Sequence, residues 1–196
     1  VKIFRVFRGQ KKIKKPGYLN AINQLNNLFQ YGIICRMKIN YLKLVISIVI
    51  CQGAGFVGSI FTTPSVKSDW YINLNKPSFQ PPDWIFGPVW VTLFLLMGIS
   101  LYLIWNTQGD EVKTAIPLGI FIFQLILNIM WSYLFFYLRN PLLAFIEILI
   151  LWIAIWVTMI FFFRINKAAG LLLIPYLVWV GFASILNFFL WNLNRG

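Results

Sequence analysis

The chain contains no histidine, so the side chain that most readily moves protons near neutral pH is missing and His-based acid–base chemistry is excluded. Cysteine is nearly absent as well: Cys35 and Cys51 alone argue against a disulfide framework or a zinc cluster. Charged residues make up only 11% of the sequence. What stands in their place is 60% hydrophobic residues and a mean hydropathy of +0.76, outside the range of a soluble domain. These features together specify an integral membrane protein.

The formal net charge of +12 does not point to a nucleic-acid partner, because ten of the 17 Lys and Arg residues lie at or before Lys43. The basic character is regional and the rest of the chain is nearly neutral. Residues 1–36 read as a basic N-terminal extension followed by an Asn- and Gln-rich stretch, a composition that suits attraction to anionic headgroups. Met37-Lys38-Ile39-Asn40 reads as a natural start, with residues before it dispensable and residues 37–196 forming the membrane domain. No Ala-x-Ala-like end marks a cleaved signal peptide.

Five runs of membrane-spanning length follow, at residues 44–61, 84–109, 114–138, 141–163 and 168–194, and within them only Glu147 is charged. Each can cross a hydrocarbon core of ~30 Å at ~1.5 Å per residue as a helix. Helices satisfy their own backbone groups in lipid, and these runs are too long for barrel strands. The expected fold is therefore an all-α bundle of five transmembrane helices. Counting Lys and Arg on alternating sides gives thirteen against four, which places the N-terminus inside; counted from Met37 the tally is five against four.

The stretch from Trp70 to Trp90 organises the rest. Pro77, Pro81, Pro82 and Pro88 set it in extended or turn geometry, and Tyr71, Phe79, Trp84 and Phe86 give it an apolar body. Such a proline- and aromatic-rich loop between the first two spans can cap a hydrophobic opening. Below it, Gln124, Asn128 and Ser132 repeat every four residues and form a polar stripe on one face of the third span. At ~1.5 Å per residue from the loop-side ends, Trp90 lies ~9 Å down and Phe94 ~15 Å, with Ser132 and Asn128 at about those two depths. Glu147 falls ~9 Å down, Ala183 ~12 Å and Trp179 ~18 Å, so these residues converge on one layer beneath the loop. Glu147, the costliest group to place in lipid, is expected either to pair with the polar stripe or to face a wet cavity. Trp70, Trp84, Trp105 and Trp191 suit an interfacial aromatic belt. A layer of Trp, Phe, Asn and Ser suits a large flat apolar ligand with a few polar edges.

Gly53-Ala54-Gly55-Phe56-Val57-Gly58 matches the G-x-G-x-x-G dinucleotide pattern, but it lies inside a span rather than between a strand and a helix. Its small residues suit close helix–helix approach instead.

Four ordered motifs resemble the TspO/MBR family from Met37 to Asn194. They are Trp70-Tyr71 with Leu74-x-Lys76-Pro77-x-Phe79-x-Pro81-Pro82; Phe86-x-Pro88-Val89-Trp90; Asn128-x-x-Trp131-Ser132; and Leu173-Ile174-Pro175-Tyr176-Leu177-x-Trp179-x-x-Phe182-Ala183. The resemblance implies a five-helix membrane protein, commonly a homodimer. It also implies a pocket for protoporphyrin IX, haem and benzodiazepine- or isoquinoline-type compounds, porphyrin being a ligand rather than a required cofactor. Carried over by position, the pocket residues are Tyr71, Trp90, Phe94, Asn128, Trp131, Ser132, Trp179 and Ala183, and Glu147 matches an acidic position at the start of the fourth helix. The expected function is a receptor acting in tetrapyrrole or oxidative-stress regulation. Two rivals are an enzyme degrading porphyrin in light, with Trp90 and Trp179 as electron donors, and a transporter of tetrapyrroles or lipids. Phe188 and Asn192 break the cholesterol-recognition pattern found in animal members. The ending at Arg195-Gly196, without a mitochondrial-type tail, favours a prokaryotic cell membrane over the mitochondrial outer membrane of a eukaryote.

Overall fold

The computed structural model describes residues 39–107 and 111–195. The basic extension read at residues 1–36 lies outside the described residues. Seven α-helices are present among them: α1 (Tyr41–Ser65), α2 (Asp69–Ile72), α3 (Asp83–Trp105), α4 (Glu111–Ser132), α5 (Pro141–Ile165), α6 (Lys167–Leu172) and α7 (Ile174–Leu193). A π-helical segment, Tyr133–Tyr137, continues α4. Five stretches are long and apolar enough to cross a membrane: α1, α3, α4 with its π segment, α5, and α6 with α7. The protein is a five-helix membrane bundle, as the uncharged runs predict.

Asparagine starts three of the helices. Asn40 accepts from the Lys43 amide, Asn140 from Leu143, and Asn166 from both Ala168 and Ala169, each satisfying amides that the first turn leaves free. Pro141 and Pro175 occupy first-turn positions of α5 and α7, where a missing N–H removes no helix bond. That placement explains why the fifth span is interrupted at Leu173 between α6 and α7.

The spans close into a ring in the order α1, α3, α6/α7, α5, α4, returning to α1. Small residues permit the closest approaches. A Cβ at Gly98 of α3 would lie 2.8 Å from the Ile48 Cα of α1, and one at Gly58 would lie 3.2 Å from Ser132 Oγ. Within the glycine-rich stretch of α1, a Cβ at Gly55 would likewise meet the Phe94 ring at 2.5 Å, whereas nothing lies within 4 Å of one at Gly53. The Ser100 hydroxyl donates to the Ala169 carbonyl at 2.8 Å and ties α3 to α6. Phe121 and Phe162 stack at 5.6 Å in the core at the far side from the loop.

Two features depart from the sequence reading. The proline-rich segment is irregular only over residues 73–82, because α3 begins at Asp83 and contains Pro88. A proline one and a half turns into a helix forfeits a single bond, here to the Trp84 carbonyl, and the remaining ladder absorbs that loss. The third span also does not stay α-helical to its end. Its last turn widens, with the Leu138 amide bonding the Tyr133 carbonyl at 3.0 Å and the Asn140 amide bonding Leu134 at 3.1 Å. Ser65 Oγ donates to the Phe136 carbonyl at 3.1 Å, and Arg139 turns the chain into α5 with φ at 51°.

Candidate functional site

A cavity of about 560 Å³ opens beneath the loop, within the ~300–1,000 Å³ range of small-molecule sites. Its wall comes from α1, α3, the end of α4 with the π segment, and α7, and its roof from Tyr71 and Gln80. Eight of the nine residues selected from sequence line it: Tyr71, Trp90, Phe94, Asn128, Trp131, Ser132, Trp179 and Ala183. Helical geometry accounts for the convergence, since Trp90 with Phe94, Asn128 with Ser132, and Trp179 with Ala183 are each four residues apart and share a face.

Glu147 is the exception. It is buried but does not line the cavity, and neither carboxylate oxygen has a hydrogen-bond partner among the described residues. The expectation that it hydrogen-bonds to the polar stripe is therefore corrected, and it stands apart from the eight residues that line this cavity. The reason is topological: no residue of α5 lines the cavity, because α5 packs behind it against α4 and α7.

The polar stripe is held from α7. Asn128 Nδ2 donates to the Tyr176 hydroxyl at 2.9 Å, and that hydroxyl donates to Gln124 Oε1 at 3.0 Å. Tyr176 is fully buried, so the relay fixes the Asn128 side chain at the cavity wall. Trp131 Nε1 donates to Asn187 Oδ1 at 2.9 Å, and Asn187 Nδ2 to the Pro141 carbonyl at 2.8 Å, which locks that indole in orientation. Trp131 also stacks on Phe135 with centroids 5.2 Å apart. Trp90 packs on Phe94 at 5.6 Å and edge-on to Tyr176 at 6.3 Å. The indole nitrogen of Trp179 is buried without a hydrogen-bond partner among the described residues.

The loop is fastened at both ends. The Tyr71 hydroxyl and Gln80 Nε2 donate to Asp83 Oδ1 at 3.1 and 3.2 Å, and Lys76 lies 3.8 Å from Asp83 Oδ2. Burial, then the adjacent Asp83 carboxylate, raises the Tyr71 hydroxyl above its ordinary pKa, so it stays a donor across the physiological range. Asn75 and Asn194 exchange bonds: the Asn75 amide donates to Asn194 Oδ1 at 2.9 Å, and Asn194 Nδ2 to the Asn75 carbonyl at 3.0 Å. Phe79 adds an edge contact to Phe189 at 5.3 Å. Losing an exposed side-chain clamp of this kind weakens it by ~1 kcal/mol, so Asn194→Ala is expected to speed amide exchange at Asn75 about fivefold while leaving α3 unchanged. Hydrogen-exchange mass spectrometry of the loop checks this, and an unaltered rate at Asn75 would show that the asparagines do not hold it down.

The sequence reading missed the wall formed by α1 and its C-cap, Gln52, Gly55, Ser59, Thr62 and Val66 among it. The signal was present, since these positions recur at intervals of three and four and lie on one helical face. Phe135 and Phe136 were also missed: both line the cavity because the π segment turns them inward. Of the tryptophans read as a belt, Trp84 is exposed, whereas Trp70 packs on Phe135 at 5.8 Å and Trp191 stacks on Phe145 at 6.3 Å.

Comparison with known proteins gives concordant matches. Residues 47–192 match the model of the TspO/MBR family. The chain is similar to tryptophan-rich protein TspO of Chlorobaculum tepidum, 44% identical over 81% of this chain and 99% of the relative. It is likewise similar to tryptophan-rich protein TspO of Archaeoglobus fulgidus, 46% identical over 79% of this chain and 99% of the relative. The human translocator protein is 39% identical over 72% of this chain and 83% of its own length.

Proposed function

The chain belongs to the TspO/MBR family and is an integral multi-pass membrane protein, and on that premise we propose that it is a receptor for porphyrins and related flat hydrophobic ligands, bound in the cavity beneath the loop. The observation that carries this reading is the make-up of the cavity wall. Trp90, Phe94, Trp131, Phe135 and Trp179 present rings from three sides, while Asn128 and Ser132 supply polar atoms on one. Aromatic faces give a planar π-system broad contact at low conformational cost, and a few fixed polar groups set its orientation. A receptor of this kind couples tetrapyrrole level to a membrane response, which fits a role in tetrapyrrole or oxidative-stress regulation. The excess of Lys and Arg on the N-terminal side supports an orientation with the N-terminus inside and the loop and cavity mouth outside.

Tryptophan-fluorescence titration with protoporphyrin IX in the dark tests this directly. Saturable quenching at micromolar ligand is expected, weakened severalfold in Asn128→Ala. Absence of saturable quenching overturns the reading. The same sample under illumination separates the rival functions: stable porphyrin absorbance fits a receptor, and protein-dependent loss that Trp90→Phe abolishes identifies a degrading enzyme. Flux across sealed proteoliposomes would identify a transporter.

A further inference from the structure

Four cations lie at the loop-side end of the bundle, and three of them are engaged. Lys76 is ion-paired with Asp83 and sits 3.9 Å from the centre of the Tyr71 ring. Arg139 lies over Trp70 at 5.9 Å and Arg195 over Trp191 at 5.6 Å. Lys67 differs. Among the described residues it has neither an ion pair nor a ring contact, and it is the one cation that lines the cavity. The only carboxylate in the wall among the described residues, Asp83, is already compensated by Lys76 and by the hydrogen bonds from Tyr71 and Gln80. The cavity therefore carries one uncompensated positive charge.

We infer that Lys67 is the recognition residue for an anionic edge group, so that the site selects flat apolar ligands bearing a carboxylate over the same ring system without one. The inference rests on the receptor reading above. Lys67 occupies the turn between α1 and α2 and is exposed. From there the aliphatic stem can lie along the apolar wall while the ammonium reaches the rim. An ionised carboxylate cannot be buried against the aromatic floor without a partner, so a ligand that carries one must leave it at the rim. Lys67 is the group placed there to receive it, through a charge-assisted hydrogen bond that fixes which edge of the ring points outward. A lysine suits this task better than an arginine when the acid sits on a flexible arm, because it acts as a point charge without a fixed fork geometry.

The test compares protoporphyrin IX with its dimethyl ester, which has the same ring and masked acids, by fluorescence titration of the full chain and its variants. In the unaltered protein the diacid should bind roughly three- to tenfold more tightly than the ester at low salt, and the margin should shrink as salt is raised. Lys67→Gln is expected to remove that preference, Lys67→Glu to reverse it, and Arg195→Gln, at a loop-side cation outside the cavity wall, to keep it. Scoring each variant by its diacid-to-ester ratio cancels the different partitioning of the two compounds into detergent. Equal binding of both compounds by the unaltered protein, or a preference that survives in Lys67→Gln, overturns this inference and leaves the receptor reading standing. Failure of both compounds to quench the unaltered protein saturably overturns the receptor reading, and this inference with it.

Discussion

Replacing Ala183 by Phe should reduce affinity for protoporphyrin IX at least tenfold, a loss of about 1.4 kcal/mol, without lowering thermal stability. Ala183 is 8% exposed and lines the cavity from α7 on the same face as Trp179, four residues away. A benzyl group at this position has an empty volume to enter, so the bundle need not spread to receive it. The ligand and the new ring would compete for that space. The combination of lost binding with an unchanged melting temperature distinguishes this outcome from a folding defect. Equal affinity in Ala183→Phe and the unaltered protein would place the ligand elsewhere.

Gly98→Val is expected to do the opposite, destabilising the bundle before it affects the ligand. A Cβ at Gly98 would meet the Ile48 Cα at 2.8 Å and its backbone nitrogen at 3.2 Å, so the obstacle is main chain and cannot rotate away. Helices α1 and α3 would have to separate, and overpacking of this kind costs about 1–3 kcal/mol. Helix association in lipid depends on close packing, because lipid tails are as apolar as the side chains they would replace. Gly53→Ala and Gly119→Ala serve as controls. Nothing lies within 4 Å of a Cβ at either position, and alanine favours the helix over glycine by about 1 kcal/mol, so both should hold or raise the melting temperature. A Gly98→Val protein that melts with the controls would show that the α1–α3 contact is not limiting.

The site was partly legible in the sequence because helical periodicity converts spacing into direction. Asn128 and Ser132, or Trp179 and Ala183, share a face by virtue of a four-residue interval. Depth follows from rise per residue once the ends of a span are known. Both quantities are local, and both served. Glu147 shows where spacing and rise stop determining position. Its depth follows from the same rise per residue, yet depth does not say which way a helix is rotated about its own axis or which neighbours it meets. The ring order puts α5 behind the cavity, so a residue at the right level faces the wrong space.

Pro88 makes the same point for the backbone. Proline removes one donor wherever it occurs, but whether that ends a helix depends on the stability of the turns around it. In α3 the turn that follows is held against α1 by the Gln52 Nε2 bond to the Val91 carbonyl at 3.0 Å. The π segment has no sequence signature of its own. It arises where Ser65 of a distant helix takes the Phe136 carbonyl, and it turns Phe135 and Phe136 into the cavity.

By itself, then, the sequence determined the solvent, the five crossings, the layer of polar and aromatic side chains, and the family resemblance. Each of these depends on composition or on intervals of a few residues. Only the tertiary structure decided the ring order of the helices, the partner of the polar stripe in Tyr176, the exclusion of Glu147 from the cavity, and the place of Lys67 as the one cation, among the described residues, in the cavity wall. These depend on contacts between residues far apart in the chain, and no local period encodes which distant side chain completes a hydrogen bond or neutralises a charge.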